Sequence, residues 1–203
     1  MTTVELDKPI RASRAALLKQ ATHAAHESLD KRIMQGDLFS DRARYGLFAQ
    51  VQYLFHREID SLYDDTALKA LLPDLAERRR FGQIEQDLTD LGLAVPVAAA
   101  APAFGAGEAV DVPTALGWLY VAEGSNLGAA FLLKEAARLG LSETFGARHL
   151  AAHPQGRGLH WRTFTTALDT ASLSADDEAR AVAGATEAFA RVRDSVERLL
   201  PLS

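Results

Sequence analysis

The chain contains no cysteine. That excludes a disulfide framework, a thiolate metal site and a cysteine nucleophile. No run of 18 apolar residues occurs, so no membrane-spanning helix is expected. The opening MTTVELDKPIRASR has no apolar stretch of the kind a signal peptide carries, and a cytoplasmic protein is expected. A formal net charge of −5 offers no basic face for nucleic acid. No alternating apolar–polar pattern calls for strands. What remains is 203 residues, 48% of them hydrophobic. That length suits a single domain, residues 1–203, with a proper core, residues 1–12 forming a loose N-terminal segment.

Helical periodicity dominates, and the fold class expected is all-α. Ser13 suits the cap of a helix reaching about Met34, with Leu18, Thr22, Ala25, Leu29 and Ile33 on one stripe. Ser40 suits the cap of a second, reaching about Tyr63, with Tyr45, Phe48, Gln52, Phe55, Ile59 and Leu62 near one side. Pro73 fits the first turn of a third, which Gly92 would end. Residues 95–107 read as a small-residue linker. Pro113 opens a long helix ending near Gly140. Residues 142–158 are broken by glycine and Pro154 and read as a short helix plus loop. Leu159–Asp169 is another helix, and Ser174 caps the last, whose Asp176, Asp177 and Glu178 suit the positive end of its dipole.

The long helix carries an anomaly. AEGSNLGAAFLL, residues 122–133, holds Gly124 and Gly128, and Gly117 precedes them. Each interior glycine costs about 1 kcal/mol relative to alanine. At 100° per residue, Gly117, Tyr120, Val121, Gly124 and Gly128 fall within about 40° of one line, so the glycines make a groove on a single face. Two readings follow from the spacing. One is close helix–helix packing through small residues. The other is a large flat ligand lying against bare backbone, with Ser125 and Asn126 as polar neighbours.

A flat ligand with a central metal needs a donor from a facing helix. Relative to the first helix's apolar stripe, His26 lies about 70° from the centre and His23 about 130° away. His26 therefore suits a pocket edge and His23 suits water. Lys19 shares the azimuth of His26, about 10 Å along the axis.

Three segments resemble a known family. LKQATHAAHESLD, residues 18–30, is similar to the proximal helix of heme oxygenases. GWLYVAEGSNLGAAFLLKEA, residues 117–136, resembles their distal helix, and GARHLAAHPQGRGLHW, residues 146–161, resembles a segment of the bacterial branch used in heme-iron acquisition. The resemblance runs in order over about residues 15–195. It implies heme held between the first helix and the glycine helix, with His26 as the iron ligand. Gly124, Ser125, Asn126 and Gly128 match the distal glycine segment. Lys19 and Tyr120 match positions that hold the heme propionates. Gln52, His56 and Trp161 match polar residues that organise ordered water. The implied reaction opens the heme ring with dioxygen and electrons, giving biliverdin, carbon monoxide and ferrous iron. A separate reductase or ferredoxin would supply the electrons, and the family is typically monomeric. Attack at the α-meso carbon is the expectation.

The residue types suit that chemistry. A neutral histidine leaves the other side of the iron open to dioxygen, whereas a thiolate would favour O–O cleavage, and no cysteine exists to supply one. Gln52 and His56 are i, i+4 on one helix face and could hold water together. A thiamin-degrading enzyme of the same helical architecture would want the missing cysteine. A di-iron bundle needs Glu-x-x-His motifs, and none of the six histidines has a glutamate three residues before it. A heme carrier that binds without degrading, and a plain helical interaction protein, stay open. Arg148, His149, His153 and His160 read as loop structure or a partner surface rather than a metal site.

Overall fold

The computed structural model describes residues 13–72 and 74–200, and they fold as one all-helical domain. The helices are α1 (Arg14–Met34), α2 (Arg42–Ile59), α3 (Thr66–Leu71), α4 (Phe81–Asp90), α5 (Val112–Arg138), α6 (Arg157–Thr170) and α7 (Ala175–Leu199). Short 3-10 turns cover residues 60–64, 75–78 and 148–150. The expectations for residues 1–12 and for Pro73 lie outside the described residues.

Local chemistry sets most of the boundaries. Ser13 Oγ accepts from the Ala16 amide and caps α1. Asp41, not Ser40, caps α2, accepting from the Arg44 amide at 2.8 Å. The Ser40 hydroxyl instead donates to the Asp37 carbonyl. An ionised carboxylate beside the helix's positive end outcompetes a hydroxyl one residue earlier. α2 also stops at Ile59 and passes into a 3-10 turn before Tyr63. The single third helix read from sequence is replaced, among the described residues, by α3, a 3-10 turn and α4. Gly92, at φ +66°, does end α4, and Gly140, at φ +73°, follows α5. Both conformations are cheap only for glycine. Ser174 and Asp177 form a reciprocal capping box at α7.

α7 is the spine, packed along α5, α1 and α2. Its crossing with α5 is built on two glycines. A Cβ on Gly117 would overlap the Ala181 carbonyl and lie 2.6 Å from the Ala185 nitrogen. A Cβ on Gly184 would overlap the Thr114 carbonyl. Around this crossing lie the wholly buried Trp118, Tyr45, Tyr63, Phe164, Leu18 and Ile59. Each such side chain contributes roughly 1.5–3 kcal/mol by burial.

α1 is clamped to α7 at both ends. The buried Arg14 guanidinium donates to Glu178 Oε1 at 2.8 Å and to the Ala171 carbonyl at 3.0 Å. Arg32 donates to Glu197 at 3.0 Å and to the Leu200 carbonyl at 2.5 Å. These clamps hold α1 in place although it touches α5 very little. The space left between α1 and α5 is the cavity described next.

Candidate functional site: a cavity between the first helix and the glycine helix

A cavity of about 610 Å³ opens between α1 and α5, with α2 at its inner end and Phe189 and Val192 of α7 on its floor. Lys19, His26, Gln52, His56, Tyr120, Gly124, Ser125, Asn126, Gly128 and Trp161 all line it. The ten residues singled out from the sequence therefore share one space. They come from four helices.

The glycine stripe divides in two. Gly117 is a packing glycine, jammed against α7. Gly124 and Gly128 are not. A Cβ on Gly124 would meet only the Trp161 ring, at 3.8 Å, and a Cβ on Gly128 would meet nothing within 4 Å. No neighbouring helix requires these two residues to be glycine. Their bareness serves the cavity, whose wall there is helix backbone. The Ser125 hydroxyl is turned into its own helix and donates to the Ala122 carbonyl at 2.7 Å. The Asn126 carbonyl accepts from Arg157 at 3.1 Å, which ties this segment to the start of α6.

On α1, His23 and His26 both line the cavity, so His23 is not confined to bulk water as its azimuth suggested. Both rings are more than half exposed, at 66% and 60%. Hydrogen-bond partners distinguish them. His26 Nδ1 lies 3.1 Å from Asp30 Oδ2, which leaves Nε2 as the nitrogen not committed to that carboxylate. His23 instead turns Nε2 toward Glu27, at 3.6 Å. A carboxylate on Nδ1 is the arrangement that orients a metal-binding imidazole. Phe189 packs at 5.8 Å, edge-on, against the His26 ring.

The inner end of the cavity is polar. His56 is 3% exposed, and its pKa is lowered to about 3 by burial and by the nearby Arg80 and His149. It is a neutral imidazole at any ordinary pH. Burial also pushes the Tyr120 hydroxyl up, so it stays protonated and able to donate. Tyr120 and Trp161 lie 5.7 Å apart, ring to ring.

Two residues that sequence reasoning missed complete this end. Arg80 is buried and donates to the His149 carbonyl at 2.5 Å. His149, read as loop or partner surface, is 3% exposed and lines the cavity. Asp87 turns it inward. That wholly buried carboxylate accepts from the backbone amides of Arg148 (2.9 Å) and His149 (3.0 Å) and from His149 Nδ1 (2.7 Å). His160 is also buried, on α6, with the His153 ring 4.2 Å away. His153 itself is partly exposed and lies in the loop before α6. Among the described residues no group of three His, Asp or Glu side chains could hold a metal ion.

His56 Nδ1, Arg80 Nε and His149 Nε2 are buried and have no hydrogen-bond partner in the protein. Buried polar atoms in native proteins are nearly always satisfied, by protein or by ordered water. Three such atoms around one cavity mark its inner end as a place for water or a polar ligand.

The family model described as heme oxygenase matches residues 12–198. The chain belongs to the heme oxygenase family. It is 39% identical over 199 residues to heme oxygenase PigA of Pseudomonas aeruginosa, covering 98% of each chain. It is also 40% identical to the crystal structure of the NO- and CO-bound heme oxygenase of Neisseria meningitidis, with a TM-score of 0.86 and 94% of each chain covered. The heme oxygenase of Leptospira interrogans, at 18% identity and a TM-score of 0.73, shares the fold. The family implies heme as the substrate.

Proposed function

We propose that this chain binds heme in the cavity between α1 and α5 and cleaves it, with dioxygen and electrons, to biliverdin, carbon monoxide and ferrous iron. The observation that carries the reading is the bare α5 wall at Gly124 and Gly128, facing a cavity that also holds the carboxylate-oriented His26. The residues fit the group: an imidazole nitrogen for the iron, a backbone wall for the ring, and polar atoms without protein partners beyond it.

Heme, when bound, supplies both the iron that activates dioxygen and the ring that is oxidised. The protein's part is to ligate, orient and deliver protons. His26 Nε2 holds the iron while Asp30 accepts from Nδ1–H, fixing the tautomer and strengthening the donor. Lys19, on the exposed side of α1, presents an ammonium to a propionate, and the protonated Tyr120 hydroxyl donates to it. Gly124 and Gly128 leave no side chain between the ring face and the helix. No acidic or basic side chain projects from α5 there. Protons travel instead through water held by Gln52, His56, Arg80 and His149, with Trp161 closing the side. His56 serves as a neutral hydrogen-bonding group, since burial keeps it unprotonated. His149 turns Nε2 toward the cavity, because Nδ1 is engaged by Asp87.

The rest of the reading stands on the family resemblance: a separate reductase or ferredoxin as electron donor, a monomer, and a cytoplasmic setting. Among the described residues no helix is long and apolar enough to cross a membrane.

The test is a hemin titration followed by a reductant in air, watched by visible absorbance. A Soret band that saturates at one heme per chain and then gives way to a biliverdin band is expected. Binding without degradation, under any donor that drives family members, would replace the enzyme reading with a heme carrier. No binding at all would overturn both.

A further inference from the structure

α5 changes role at one residue. From Pro113 to Glu123 nearly every side chain is buried. Beyond Glu123 only Ala129 and Ala136 of the helix are buried, while Leu127 and Phe131 are exposed at 46% and 54%. The helix is thus tightly packed up to 123 and more sparsely held from 124 onward, by the Arg157 bond to the Asn126 carbonyl and by Ala129 and Ala136. What holds residue 123 anchors the end at which the cavity's glycine wall begins.

Glu123 is held by Arg78. Its Oε2 accepts from Arg78 Nη1 at 2.6 Å, both side chains being buried. The same guanidinium makes a two-pronged contact with Asp74, at 3.0 and 2.6 Å. It also donates to the His160 carbonyl at 3.0 Å. Its carbon sits 5.4 Å over the Phe164 ring, and Phe164 stacks on Trp161 at 5.8 Å. One planar group therefore grips the residue before Gly124 on α5 and the residue before Trp161 on α6. Gly124 and Trp161 are neighbours in the cavity lining, a Cβ at 124 lying 3.8 Å from the Trp161 ring.

We propose that Arg78, through Glu123 and Asp74, is a positioning residue that fixes the separation between the Gly124 backbone and the Trp161 ring, and so where the glycine wall of the cavity stands. Arg78 itself does not line the cavity. It acts through the two residues that do. The fork of a guanidinium is required, because an ammonium cannot span Asp74, Glu123 and a carbonyl in one plane. The Arg78–Glu123 pair is buried, so losing the guanidinium would leave the Glu123 carboxylate buried without its partner, while losing Glu123 would leave Arg78 with only the Asp74 carboxylate and the His160 carbonyl. Its consequence for ring position in catalysis rests on the heme reading; the anchoring itself does not.

The test separates the two. Amide hydrogen exchange is followed in the heme-free protein for the wild type, Glu123→Gln and Arg78→Lys. The expected result is exchange at 124–132 faster by at least about tenfold, with 112–122, jammed at Gly117 and Gly184, unchanged. With heme bound, the same variants are expected to shift the share of biliverdin isomers. If Arg78→Lys does not fold, Glu123→Gln and Asp74→Asn carry the measurement. Exchange that rises equally in both halves of α5, or in neither, would overturn the proposal. A wild type that binds no heme would sink the proposed function and leave the exchange result to decide the anchor.

Discussion

Gly124 stands seven residues beyond Gly117 on one face of α5, yet a methyl group fits at 124, 3.8 Å from the Trp161 ring, and overlaps the Ala181 carbonyl at 117. The two glycines therefore predict opposite phenotypes. Gly117→Ala should lower stability by about 1–3 kcal/mol, because two backbones must part to admit the methyl. Gly124→Ala should leave stability unchanged or raise it by up to about 1 kcal/mol, through the helix propensity gained. Heme affinity should show the reverse order, since only the second methyl enters the cavity. Thermal melts and hemin titrations of both variants decide it. Equal destabilisation would return Gly124 to a packing role.

His26 and His23 are both exposed to the cavity, so burial does not choose between them. Hydrogen bonding does. His26→Ala should change the heme spectrum and weaken binding, while His23→Ala should leave the spectrum as it is. Asp30→Asn should lie between, with iron ligation kept and the heme ligand field altered, by analogy with other carboxylate-oriented histidines, where such partners are worth about 10–100-fold in metal affinity. A wild-type spectrum in His26→Ala would remove it as the ligand.

Acid should find His56 early. Its ordinary value of 6.5 falls to about 3 in the folded chain through burial, Arg80 and His149. Between those two values the unfolded chain binds the proton and the folded chain does not. Stability from this group is thus complete above about pH 6.5 and declines as the pH falls toward 3. The slope contributed is at most about 1.4 kcal/mol per pH unit. Urea melts of wild type and His56→Gln across that window should show a shallower acid decline in the variant. Parallel curves would mean that His56 is not the group that acid attacks.

Much of the site was legible because it is written in local patterns. The helix stripe that carries His26 and Lys19 and the i, i+4 pair of Gln52 and His56 are spacings, and spacing survives folding. The glycine stripe was legible only in part, since azimuth alone cannot show that one half meets α7 and the other half meets open space. Arg78, Arg79 and Arg80 were not legible at all. No spacing singles out three adjacent arginines, and at the end of the 3-10 turn they point three ways. Arg78 goes into the core to Glu123, Arg79 outward to Asp60 and Asp64, and Arg80 to the cavity. His149 was misread for a related reason. Its inward turn is imposed by Asp87, 62 residues earlier in the chain, and no local pattern encodes such a contact.

Asp87 gives the last prediction. Burial opposes its ionisation, but the bonds it accepts from His149 and Arg148 outweigh burial and hold its pKa below the ordinary 3.8. Ionised, it accepts only, so His149 Nδ1 must carry a proton, and Nε2 is the nitrogen left to the cavity. Asp87→Asn changes this in two ways. The amide NH₂ group would meet one of the donors that the carboxylate now satisfies, and stability should fall by about 1–3 kcal/mol. Where the amide donates to Nδ1, the imidazole proton moves to Nε2, which then faces the cavity as a donor. Nitrogen NMR of the labelled imidazole reads the tautomer directly. Wild type should show a protonated Nδ1, and the variant a protonated Nε2. Slower heme degradation with unchanged heme affinity should accompany the switch. An unchanged tautomer would show that something other than Asp87 sets His149.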